Sequence, residues 1–192
     1  MIRPTTTETI IMRAPARTVR RVVTLLALIA SASYADAATS KELLDCQKQL
    51  ESQVRAFSNV VLQGLAGCAQ KVVECKLADE IDAVDPTACI AKAAAKCTGL
   101  PSKVSDQAAA RQAKVAARCG LIPLAEIEQF SEGLGFFNVA TSCGAASVTA
   151  LVGCVFDAAR CSAERELFTL DPRAQDSLTT GGIAASFPCV AP

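Results

Sequence analysis

The chain has 192 residues, ten of them cysteine and none histidine, and its 19 basic side chains are balanced by 19 acidic ones. Without histidine there can be no Ser-His or Cys-His nucleophile pair, no histidine general base and no histidine metal ligand. No G-x-S-x-G elbow, Walker loop or G-x-G-x-x-G stretch occurs either.

Residues 1–37 read as a secretory signal peptide. Arg13, Arg17, Arg20 and Arg21 form a basic head, and Val22 to Ala32 is a short apolar run. Ala30-Ser31-Ala32 and Ala35-Asp36-Ala37 then offer the small-x-small form that signal peptidases cut. A membrane-spanning helix needs roughly 20 apolar residues, about twice this run, so no membrane span is expected. Met12 is an alternative start, because residues 1–11 add nothing a signal needs. The expectation is export to the periplasm or the extracellular space. The part beyond Ala37 carries fourteen basic and seventeen acidic side chains. That balance does not suit a polyanion-binding chain, and the length suits one domain with its own core.

The domain is expected to span 38–176 and to be all-α. Thr39-x-x-Glu42 is a capping box, with Ala38 and Leu43 placed for a hydrophobic staple. Leu43, Leu50 and Phe57 recur at sevens, and so do Val54, Val61, Cys68 and Cys75; two such rows make one apolar stripe. This first helix is expected to run to about Ala83, with Gly64 and Gly67 as points of kinking or division. Asp85 as N-cap and Pro86 at N1 start a second helix that ends at Gly99, with Pro101 forbidding continuation. A third covers Ser105 to Cys119, stopped by Gly120 and Pro123. Pro123 to Glu132 reads as a short fourth, closed by Gly133 and Gly135. Ala145 to about Thr169 is a long fifth, followed by Asp171-Pro172 as a second Asp-Pro cap. Residues 177–192 read as a loop-like tail pinned through Cys189. A weak internal repeat joins residues 65–86 to 151–172: Leu65, Gly67, Cys68, Cys75 and Asp85-Pro86 recur as Leu151, Gly153, Cys154, Cys161 and Asp171-Pro172.

An even number of cysteines in an exported chain reads as disulfides rather than as reduced core residues. Cys68 and Cys75 share a face of one helix, and Cys89 and Cys97 share a face of the next. The midpoint of 75 and 89 is 82 and that of 68 and 97 is 82.5, so both pairs nest around one turn. An antiparallel αα-hairpin near residues 65–98 would therefore join Cys75 to Cys89 and Cys68 to Cys97. Cys46, Cys119, Cys143, Cys154, Cys161 and Cys189 are left with 15 possible arrangements. There is no C-x-x-C, so a thioredoxin-type dithiol has no candidate, and spacings of seven suit a helix seam better than a metal knuckle. No metal and no cofactor is expected.

The carboxylates Asp79, Glu80, Asp82 and Asp85 read as a solvated helix end and cap. Charge is segregated: residues 86–119 have a net of +5 and residues 120–176 a net of −5. Lys92 and Lys96 share a helix face, as do Arg111, Lys114 and Arg118. The preferred reading is that basic and acidic helices face each other. The functional one is a patch for a protein or an anionic surface. Nucleic acid is not expected, because no aromatic residue for base stacking falls between Phe57 and Phe130. Phe136, Phe137, Phe156, Phe168 and Phe187 form core or line an apolar pocket.

Cys46-Gln47, the run from Ala91 to Cys97 (AKAAAKC), QAAARQAKVAARCG and Leu134-Gly135-Phe136 resemble uncharacterised exported bacterial proteins that are Ala/Lys-rich, Cys-containing and helical. The likeness spans roughly residues 43–161 and is one of layout. It implies export and helices, and carries no activity. The leading expectation is an exported, non-enzymatic, cysteine-rich helical scaffold or binding protein. The alternatives are a carrier of a small apolar ligand between the later helices, and a thiol redox enzyme.

Overall fold

In the computed structural model the described residues are 38–129, 131 and 133–190. The expected signal peptide, residues 1–37, lies outside them. The described residues contain no strand: the fold is all-α and cross-linked by cysteine pairs.

The long helix α1 (Ser40–Asp82) is the spine. It starts where the capping box requires: Thr39 Oγ1 accepts from the Glu42 N–H, and Glu42 Oε2 accepts from the Thr39 N–H at 2.8 Å. Ala38 and Leu43 both pack against the core beside this cap. Its apolar stripe buries Leu50, Phe57, Val61, Leu65, Ala69 and Val72. Neither Gly64 nor Gly67 breaks it. A Cβ on Gly64 would lie 2.4 Å from Cδ1 of Leu100, so that glycine admits a neighbouring side chain and the helix runs straight through. Ala83, in the left-handed region at φ 52°, ends α1.

Helices α2 (Thr87–Cys97) and α3 (Leu100–Cys119) return along this spine. Cys75 pairs with Cys89 and Cys68 with Cys97, at Cα separations of 5.6 and 5.4 Å, which closes the expected hairpin. The register then continues past the break at 98–99. Leu100 sits on Gly64, Arg111 bonds Gln53, and Cys46 pairs with Cys119 at a Cα separation of 5.0 Å. The midpoint of 46 and 119 is again 82.5. Since both partners rise 1.5 Å per residue, one antiparallel register can hold along the whole seam.

Three local expectations need correction here. Pro101 does not keep the chain out of a helix; it lies in the first turn of α3, where a missing N–H costs nothing, so α3 begins at Leu100 and not Ser105. Asp85 does not itself form the N-cap of α2. It stands one residue earlier and accepts from the N–H and Oγ1 of Thr87. The short helix α4 is confined to Leu124–Glu128.

After α5 (Phe137–Cys143), which the sequence pattern did not reveal, α6 (Val148–Leu170) lies on α1 and α3. Its start is capped by the Ser147 hydroxyl, which accepts from the Ala150 N–H. Leu151, Val152, Phe156, Ala163 and Leu167 complete the main core, with the rings of Phe156 and Phe57 5.2 Å apart. The expected loop-like tail is also corrected. The helix α7 (Ala174–Thr180) runs through Ser177, and Leu178, Ile183 and Phe187 are buried, so the C-terminal segment is part of the domain. Lys76–Asp176 and Glu80–Arg173 ion pairs hold α7 to the spine. The repeat is not mirrored in the cross-links: Cys154 pairs with Cys143 and Cys161 with Cys189.

Candidate functional site

The chemistry available to this fold is limited first by its cysteines. All ten are paired, so none is left as a thiolate nucleophile or metal ligand. The acidic group near the hairpin turn is exposed: Asp79, Glu80, Asp82 and Asp85 all face solvent. Glu80 is engaged by the Arg173 guanidinium and Asp85 by Thr87, and each partner holds its carboxyl below the ordinary range. Among the described residues no group of three or more Cys, Asp or Glu is arranged to hold a metal ion.

The basic helix α3 does face the acidic helix α6, as expected, but among the described residues no ion pair joins them. The ion pairs of the acidic half run to α1 or stay within α6. Among the described residues, none of Lys92, Lys96, Lys103, Arg111, Lys114 and Arg118 takes part in an ion pair. The aliphatic faces of α2 and α3 are consumed by packing, and that leaves their lysines and Arg118 in solvent. Arg111 is half-buried and donates to Gln53 Oε1 at 3.2 Å, which ties α3 to α1. Lys114 and Arg118 are exposed further along α3.

Part of this set lies near the break between α2 and α3. An open cleft of about 390 Å³ lies there, over the Cys68–Cys97 bridge. Lys71 from α1, Lys96 from α2 and Lys103 from α3 line it, together with Gly64, Gly67, Gly99 and Leu100. A smaller depression of about 150 Å³ adjoins it, sharing Lys71 and Lys96 and adding Lys92 and Glu74. Of the sequence-named patch, then, Lys96 and Lys92 reach this place, while Lys114 and Arg118 are not among its lining residues. Lys71 and Lys103 were missed. The signal for Lys71 was the nested register, which sets Lys96 opposite residues 68–69 and so within one turn of Lys71.

The aromatic residues of the later half are mostly core. Phe156 and Phe187 are fully buried, Phe136 and Phe168 half-buried, and Phe137 is 50% exposed. One charged group is also buried there: Glu164 on α6 has no exposed surface, and its Oε2 accepts from the Cys189 N–H at 3.0 Å. Burial raises its pKa, against the lowering effects of that hydrogen bond and of Arg160. It secures the C-terminal segment beside the Cys161–Cys189 bridge.

No protein-family model, curated protein or solved structure matches the chain. No single described helix is long and apolar enough to cross a membrane.

Proposed function

We propose that this protein is an exported, non-enzymatic helical scaffold that works by binding, placed in the periplasm or outside the cell after residues 1–37 are removed as a signal peptide. The observation that carries the reading is the set of five cysteine pairs spread over the whole domain, with no cysteine left over. Such pairs persist in oxidising compartments and are rare in a reducing cytosol. A chain of this size can bury a core without them, so their use fits endurance against proteases or harsh surroundings. The unpaired cations of α2 and α3 supply a surface for an acidic protein or an anionic surface.

Intact mass of the exported protein, alkylated with and without prior reduction, tests this directly. The expected species begins near Ala38 and, before reduction, is about 10 Da lighter than the fully reduced chain, because each bridge removes about 2 Da. Alkylation of native thiols would contradict the cross-linked scaffold, and retention of residues 1–37 would contradict export by a cleaved signal. A reproducible turnover abolished by changing one carboxylate would contradict the non-enzymatic part.

A further inference from the structure

We infer that the cleft over the Cys68–Cys97 bridge is a binding site for a phosphate-bearing ligand, a deepening of the binding-protein reading proposed above. Three lysines on three different helices line this one cleft, and among the described residues none of them takes part in an ion pair. Convergence of separate ammonium groups suits a multiply charged oxyanion. A planar carboxylate is better met by the fork of an arginine, and no arginine lines the cleft.

The floor of the cleft carries the second part of the argument. Gly67 lies in the middle of the 43-residue helix α1, where glycine costs about 1 kcal/mol relative to alanine. Packing does not require it, since a Cβ there would meet nothing within 4 Å; the same holds for Gly99. Both open onto the cleft. Their missing side chains leave room for a ligand to approach the backbone at the break between α2 and α3. Leu100 and the Cys68–Cys97 bridge make the remaining wall apolar, which accommodates the organic part of a phosphate ester.

Two sources share this chemistry: a soluble phosphate compound and a phospholipid headgroup. The test uses the purified, disulfide-bonded chain with inorganic pyrophosphate by titration calorimetry, and with phosphatidylcholine vesicles with or without phosphatidic acid by co-sedimentation. Saturable binding to at least one probe is expected. Pyrophosphate binding assigns a soluble ligand; binding to phosphatidic acid vesicles alone assigns a headgroup. The double variant Lys96→Gln/Lys103→Gln is expected to weaken binding about tenfold or more. Gly67→Leu should block the cleft while leaving the melting temperature at or above that of the parent. Lys114→Gln, outside the cleft, should bind as the parent does. The inference is overturned if neither probe binds saturably, if Gly67→Leu binds normally, or if Lys114→Gln loses as much as the cleft variants. The intact-mass experiment is unaffected by these results, so the site and the exported scaffold can fail separately.

Discussion

Gly64 and Gly67 are one helical turn apart in α1 and have opposite reasons for being glycine. Gly64 is overlain by Leu100, and a Cβ would come within 2.4 Å of it, whereas Gly67 faces open space. Gly67→Ala is therefore expected to stabilise the fold by about 0.5–1 kcal/mol through helix propensity and lower unfolded-state entropy. Gly64→Ala should not, because Leu100 must give way. Denaturant unfolding of the two variants checks the contrast. Glu164 offers a pH signature. Its folded pKa is raised, so over a window just above the ordinary carboxylate range the folded chain holds a proton that the unfolded chain has lost. Its contribution to stability is present below the unfolded pKa and disappears as pH rises through the folded one. Melting curves across that window should slope downward with pH in the parent. In Glu164→Gln, which keeps an acceptor for the Cys189 N–H, the slope should flatten. Glu42, Glu80 and Asp85 have lowered values, so their stabilisation is lost at lower pH, on the acid side of this window.

At the scale of elements, the cross-links on the spine differ in what they constrain. Cys75–Cys89 closes 14 residues. Cys46–Cys119 has a sequence separation of 73, but Cys68–Cys97 already shortens that path. With the inner bridge in place the outer one closes about 45 residues, so loop entropy makes it roughly 1 kcal/mol more stabilising than Cys75–Cys89. Burial acts in the same direction: Cys46 and Cys119 are each 2% exposed, while Cys89 faces solvent. The pair Cys46→Ala/Cys119→Ala should lower the unfolding free energy more than Cys75→Ala/Cys89→Ala, measured by urea titration without reductant. The reverse order would mean that the hairpin, and not the long seam, limits the denatured chain.

In the whole molecule, covalent and apolar constraints are distributed differently. Bridges join α1 to α2 and α3, α5 to α6, and α6 to the C-terminal turn. No bridge joins the α1–α3 group to the α5–α6 group; that junction is the core of Phe57, Val61, Leu65, Val115, Leu151 and Phe156. Reduction therefore removes constraints within each group and leaves the apolar junction chemically intact. The reduced, alkylated chain should keep much of its helical circular dichroism at room temperature. Its melting temperature should fall and trypsin cleavage should accelerate. Complete loss of helix on reduction would show that the core alone cannot hold the fold.

Much of this architecture was legible along the chain, because helix grammar is local. The capping box at Thr39, the sevenfold rows of α1 and the nested spacing of Cys68, Cys75, Cys89 and Cys97 need only neighbours within a few turns to be read. They led to the all-α class and the hairpin. Short elements were harder to see: α5 and α7 have too few residues to display a period, and α7 is secured by Lys76 and Glu80, about a hundred residues away. The cleft was only half visible. Lys96 was named from its helix face and Lys71 was legible from the hairpin register, but Lys103 joins them because that register continues across the break at 98–99, which no local pattern reports. The sequence by itself determined the long helices, the Thr39 cap and the nested spacing of the inner bridges, because these follow from periodicity and from positions on either side of one turn. Only the tertiary structure decided the outer bridges, the buried C-terminal segment and the meeting of three lysines, because these depend on which helix faces are brought together when the core closes.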